Sequence, residues 1–185
     1  MNIKQSLGFT LLELMIVVAL MGIVASIAVP SFQDTLERNY LKEAAESFKS
    51  DLMFIRTEAI KTSNNITVNR STGNNGGWCY GFDSTGFTCD CTETDDTNTT
   101  TSANEGYCSA KRTEGFPKTN LTSVFPLSGN STFDFRRGTT GNHNTCFSTT
   151  NYKIKVTTST AGRILVCSNT DSFAMAGYPD CSSNC

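Results

Sequence analysis

The chain has 185 residues but one histidine, His143, and one tryptophan, Trp78. A single imidazole leaves general-base chemistry essentially to carboxylates. No G-x-S-x-G, H-E-x-x-H or Walker-type loop occurs. These absences remove the nucleophile elbow, the zinc-protease helix and the phosphate-cradling loop from consideration. Asp95-Asp96 is an acidic pair, but it lies in a polar stretch with nothing to desolvate it, so it reads as solvated surface. No enzyme activity, cofactor or metal is expected. Lys and Arg are missing from Ser71 to Gly106, which holds six acids (Asp83, Asp90, Glu93, Asp95, Asp96 and Glu105). From Tyr107 to Thr170 eight bases face two acids. The two segments therefore carry −6 and +6. Such a pair reads either as two solvated faces that attract each other or as a basic surface that meets an anion.

Cysteine is absent from the first 78 residues. All eight cysteines follow: Cys79, Cys89, Cys91, Cys108, Cys146, Cys167, Cys181 and Cys185. An even count in a small exported domain reads as a disulfide framework. The metal alternative fits poorly. Cys89 and Cys91 are one residue apart, and His143 has no partner at ligand spacing. The spacing suggests a small C-terminal loop closed by Cys181 and Cys185. Cys146 and Cys167 flank a predicted hairpin and form a second suggested pair.

The longest apolar run is Phe9–Val29, 21 residues with one charge, Glu13. At ~1.5 Å per residue it spans about 30 Å, the hydrocarbon thickness of a bilayer. It is longer than the ~7–15 residue core of a secretory signal, and no small-x-small cleavage site follows it. Lys4 lies on its N-terminal side, so the positive-inside rule keeps that end cytoplasmic and exports the remainder.

The residues K-Q-S-L-G-F-T-L-L-E-L closely resemble the type IV prepilin signal. That resemblance implies cleavage after Gly8 by a membrane peptidase, N-methylation of the new first residue, Phe9, and an assembly role for Glu13. An unpaired acid in the bilayer interior costs ~2.5–3.5 kcal/mol or more. In a filament, Glu13 could pair with the terminal amine of a neighbouring Phe9.

Pro30 ends the apolar run, and a proline inside a helix removes one hydrogen bond and kinks it. Beyond it, Leu41, Ala44, Ala45, Phe48, Leu52, Ile55 and Ala59 recur at three- and four-residue steps. Lys42, Glu43, Glu46, Lys49, Asp51 and Arg56 fill the opposite face. One helix from Phe9 to about Thr62 is predicted, ending at Ser63-Asn64-Asn65. Its apolar stripe needs a sheet to cover it. Strand-like runs follow at 66–71 (ITVNRS), 78–82 (WCYGF), 132–137 (TFDFRR), 152–158 (YKIKVTT) and 162–168 (GRILVCS). In YKIKV, Tyr152, Ile154 and Val156 should face one way and Lys153 and Lys155 the other. Phe133 and Phe135 should share a face. STAG, between the last two runs, reads as a hairpin turn. Trp78, Tyr80 and Phe82 read as core and sheet surface. The 91–106 stretch is polar, acidic and threonine-rich, and reads as a mobile loop tethered by Cys91 and Cys108. The expected class is α+β: a long helix packed on a mostly antiparallel, disulfide-stapled sheet.

A second resemblance adds to the first. The run SDLMFIRTEAIKTSNNITV (50–68), with TFDFRRGTTG (132–141) and AGRILVC (161–167), is similar to the FimT/FimU and GspH class of minor pilins and pseudopilins. The resemblance implies the type IV pilin fold. It divides the chain into a leader (1–8), a transmembrane or filament-core helix (9–30), an amphipathic helix (31–64) and a β-sheet head (65–185). It implies a minor pilin, a structural subunit whose partners are other pilins, through the N-terminal helix, and the prepilin peptidase/methyltransferase. Such a subunit sits in the inner membrane with its head in the periplasm, then in a surface pilus that serves motility, adhesion or DNA uptake. The same leader and fold serve type II secretion pseudopilins, a second reading. A third is a tip pilin that binds DNA. Some FimT-type pilins do so through G-R-x-R near the C-terminus, and this chain has Gly162-Arg163-Ile164-Leu165, with Leu165 in place of the second arginine. The cations available to DNA here are Arg136, Arg137, Lys153, Lys155 and Arg163.

Overall fold

The computed structural model describes residues 8–84, 88–92, 106–108, 111–125 and 130–185. One helix, α1, runs Leu11–Thr62 with Pro30 inside it, so the proline does not end the helix. The chain divides within α1 into two compact units, one up to Leu36 and one from Glu37 onward.

In the first unit, the large apolar side chains from Leu11 to Phe32 are all exposed. This part of α1 is long and apolar enough to cross a membrane.

In the second unit, α1 buries the stripe read from the sequence: Leu41, Ala44, Ala45, Phe48, Leu52, Ile55 and Ala59. Among the described residues ten strands follow: β1 (Ile66–Ser71), β2 (Cys79–Phe82), β3 (Cys89–Asp90), β4 (Gly106–Tyr107), β5 (Lys111–Glu114), β6 (Asn120–Phe125), β7 (Ser131–Phe133), β8 (His143–Ser148), β9 (Lys153–Thr158) and β10 (Ile164–Ser168). Two antiparallel sheets form, ordered β5-β2-β1-β7 and β10-β9-β8-β6, with β3 and β4 as a short parallel pair. Gly73 and Leu121 exchange backbone hydrogen bonds of 3.2 and 3.0 Å and link the two sheets.

Phe48 joins helix to both sheets. Its ring lies 4.8 Å from Tyr80 on β2 and 5.6 Å from Phe147 on β8, both edge-on. Trp78 fills the space beside them, 5.2 Å from Phe147, and its Nε1 donates to the Thr119 carbonyl at 2.9 Å. Trp78, Tyr80 and Phe82 are thus core residues. Edge-to-face pairs add about 0.5–1.5 kcal/mol each beyond the area they bury.

Several expectations are corrected. Asp51, expected on the charged face, is buried in the stripe, where the Tyr80 hydroxyl donates to its Oδ2 at 2.7 Å. The 132–137 run is a strand only to Phe133. Asp134 Oδ1 then accepts from the backbone N–H groups of Arg136 and Arg137 at 2.9 and 3.2 Å, which turns the chain. Phe135 therefore does not continue the buried face of Phe133 and is only half-buried. Lys155 is not on a solvated face: it is 3% exposed. The suggested disulfides Cys181–Cys185 and Cys146–Cys167 are not formed. The bridges are Cys79–Cys91, Cys89–Cys108, Cys146–Cys185 and Cys167–Cys181. Cys146 and Cys167 both stand opposite Lys155, on β8 and β10 at either side of β9, and each reaches outward to the C-terminal segment instead. Cys91 and Cys108 are both bridged, but residues 93–105 of the predicted loop, Asp95-Asp96 included, lie outside the described residues.

Candidate functional sites

The first candidate site is the start of α1. Gly8 and Phe9 precede the helix in the open, and Phe9 is 82% exposed. Thr10 caps the helix: its Oγ1 accepts from the Glu13 backbone N–H at 3.2 Å. Thr10 and Glu13 stand at the spacing of a capping box, T-x-x-E, which favours an acid at the third helical position. Glu13 also lies in the first turn, where the positive end of the helix dipole favours a carboxylate. The cap uses only the backbone N–H of Glu13. Its side chain is exposed. From Leu11 to Phe32 the large apolar side chains are exposed as well, and lipid or other helices would each cover them.

The second candidate site is basic. Arg56 on α1 donates from Nη1 to the Gly162 carbonyl at 3.2 Å. A Cβ at Gly138 would lie 2.8 Å from Arg56 Nε, and a Cβ at Gly162 would lie 2.5 Å from the Gly138 carbonyl oxygen. The turn after β7 and the β9–β10 turn therefore abut, with Arg56 between them. Both glycines have positive φ, +59° and +74°, so glycine serves here both the backbone and the close approach. Arg136, Arg137 and Arg163 extend from these turns with exposed side chains. The fold thus gathers three of the five predicted cations and adds Arg56, which periodicity places only on a solvated helix face. The other two stand apart. Lys153 is at the far end of β9, roughly 16 Å away at ~3.3 Å per residue, with its Nζ 4.4 Å from the Phe173 ring. Lys155 is covered: its Nζ donates to the Ser183 carbonyl and, at 2.9 Å, to Ser183 Oγ. Among the described residues no group of His, Cys, Asp and Glu is placed to hold a metal ion.

Residues 44–176 match the family described as Type II transport protein GspH. The chain belongs to the GspH family. Residues 3–29 match the prokaryotic N-terminal methylation motif. This GspH-family chain is also similar to a fimbrial protein of Moraxella nonliquefaciens, 44% identical over 66 residues, which are 36% of either chain. Another relative is the type IV major pilin protein PilE1 of Neisseria gonorrhoeae, 51% identical over 53 residues, or 27% of this chain and 32% of that one. Fimbrial protein EcpC of Eikenella corrodens is 57% identical over 37 residues, 20% of this chain and 24% of that one. The matches thus span about a third or less of these relatives. Among solved structures, a crystal form of the type IV minor pilin FimU of Pseudomonas aeruginosa superposes with a TM-score of 0.50 at 18% identity, covering 76% of this chain and 96% of that one. The fold is the type IV pilin α+β fold.

Proposed function

We propose that this GspH-family chain is a minor type IV pilin, cleaved after Gly8, N-methylated at Phe9 and assembled through α1. The observation that carries this reading is the uncovered apolar surface of α1 directly after Gly8-Phe9, with one carboxylate in its first turn. Before assembly, lipid covers that surface, with the head on the periplasmic side. Within a filament, helices of other pilins cover it, and Glu13 meets the methylated amine of a neighbouring subunit. Gly8→Ala should leave the precursor uncut and keep it out of filaments, as read by immunoblot of membrane and sheared-filament fractions. Normal maturation and incorporation of Gly8→Ala would refute the reading. Glu13→Ala should be cleaved normally and incorporated poorly.

The GspH match supports a second reading, a type II secretion pseudopilin. Deletion of the gene separates the two: loss of surface filaments supports the pilus, and loss of a secreted protein with filaments intact supports the secretion system.

The arginine cluster supports a DNA-binding role for the head. Duplex binding by the unit from Glu37 onward should weaken steeply with salt, and Arg136→Ala/Arg137→Ala should flatten the slope by about two. Absence of a gel shift at low salt would end this reading.

A further inference from the structure

The C-terminal segment lies across the outer face of the β10-β9-β8-β6 sheet. It is tied there by two backbone hydrogen bonds, Ser168 N–H to the Pro179 carbonyl and Cys181 N–H to the Ser168 carbonyl, each 2.9 Å. Cys185 N–H donates to Asn169 Oδ1 at 3.0 Å. Two disulfides, Cys146–Cys185 and Cys167–Cys181, fix the same segment. Their sheet-side cysteines flank one lysine. Lys155 is the direct cross-strand partner of Cys146 on β8 and of Cys167 on β10. Directly opposed residues share a face, with Cβ atoms ~4.5–5.5 Å apart. The Lys155 amine is then covered by Ser183. Burial holds its pKa below the ordinary lysine range, so a neighbouring anion would relieve it.

The other two bridges sit differently. Cys79, Cys89, Cys91 and Cys108 form a buried cluster of their own. Cys185, in contrast, is only half-buried. A thiol is acidified beside a lysine and made less acidic in apolar surroundings. In thiol–disulfide exchange the more acidic thiol leaves faster.

We propose that residues 178–185 are a reductively released strap: Cys146–Cys185 and Cys167–Cys181 open to a dithiol before the other two bridges, because Lys155 stabilises both departing thiolates. A thiolate of the dithiol attacks Cys185 Sγ. The Cys185–Cys146 bond breaks, and Cys146 leaves as a thiolate beside the Lys155 ammonium. The second thiol of the dithiol then displaces Cys185, which takes a proton, and the reductant closes to its own disulfide. Each bridge takes up two electrons. Cys181 and Cys167 follow the same course. With both bridges open, the strap is held only by its hydrogen bonds and by the packing of Tyr178 against the core, and the Lys155 ammonium becomes accessible.

The test uses the full chain in detergent micelles, titrated with dithiothreitol, alkylated and read by peptide mass spectrometry. Cys146, Cys167, Cys181 and Cys185 should be half-alkylated at about tenfold less dithiothreitol than the remaining four. Acylation of Lys155 by an N-hydroxysuccinimide ester should rise in step with that first transition. Lys155→Met should move the first midpoint several-fold toward that of the buried cluster, and Lys155→Arg should restore it. The proposal is overturned if all four bridges open together, or if Lys155 acylates equally before reduction. It is also overturned if Lys155→Met leaves the first midpoint unchanged or makes reduction easier, since easier reduction would mark a packing role rather than a charge role. The wild-type titration and acylation decide the matter alone should Lys155→Met not fold.

Discussion

Asp51 places a carboxylate inside the helical stripe that both sheets cover, and Tyr80 supplies the hydroxyl it accepts from. Removing that hydroxyl leaves a buried acceptor short of one partner, a loss of about 1–3 kcal/mol. Tyr80→Phe should therefore lower Tm by roughly 2–4 °C per kcal/mol lost, measurable by calorimetry with the bridges intact. Tyr178 offers a test in pH. Burial first, then the negative charge of Glu46, raises its hydroxyl from 10.0 to about 12. The unfolded chain loses this proton near pH 10 and the folded chain near pH 12, so stability falls as pH rises between those values. Tyr178→Phe should lose less stability than the wild type across that window, as read by urea denaturation at each pH. An equal loss would place the effect elsewhere. Asp51 and Lys155 show how far single positions were legible. Asp51 stands three residues after Phe48 and four before Ile55, so spacing alone places it in the stripe, whereas its charge argued for the opposite face. Lys155 alternates correctly away from Ile154 and Val156. What alternation could not supply was the segment more than twenty residues downstream that covers it.

At the scale of elements, the β9–β10 hairpin and the turn after β7 control each other. Gly162 needs a positive φ and also meets the Gly138 carbonyl, whereas Gly177, at φ +97°, has open space within 4 Å of where a Cβ would stand. A left-handed non-glycine residue costs about 1–2 kcal/mol, and forced overpacking about 1–3 kcal/mol more. Gly177→Ala should thus cost only the first amount, and Gly162→Ala about 3 kcal/mol, by denaturant unfolding. Equal losses would show that the two turns can separate without cost. The STAG turn, the helix and the cores of β1, β2, β9 and β10 were legible because their apolar spacing is regular. β6 and β8 were not. Their sequences, NLTSVF and HNTCFS, are rich in small polar residues. β8 is nonetheless buried, because strands flank it on both sides and α1 covers Phe147. A strand defined by its neighbours leaves little periodicity of its own.

At the scale of the whole molecule, the N-terminal motif was the most legible feature, since it combines a length, a charge and a processing signature in one stretch. The cysteine count implied a disulfide framework but not its connectivity, because pairing depends on which strands stand side by side. The charge of the basic segment was legible, but which of its cations stand together was not. Folding brings Arg56, Arg136, Arg137 and Arg163 around two abutting turns and sends Lys153 and Lys155 elsewhere. For the protein as a whole, the proposed function rests on one claim: that α1 is freed at Gly8 and acts as the assembly element of a filament subunit. Peptide mass spectrometry of sheared surface filaments reads that role without an intermediary. The chain should be present in that fraction, with Phe9 as its first residue and heavier by one methyl group. Recovery of the chain only from the membrane fraction, still carrying the residues through Gly8, would contradict it.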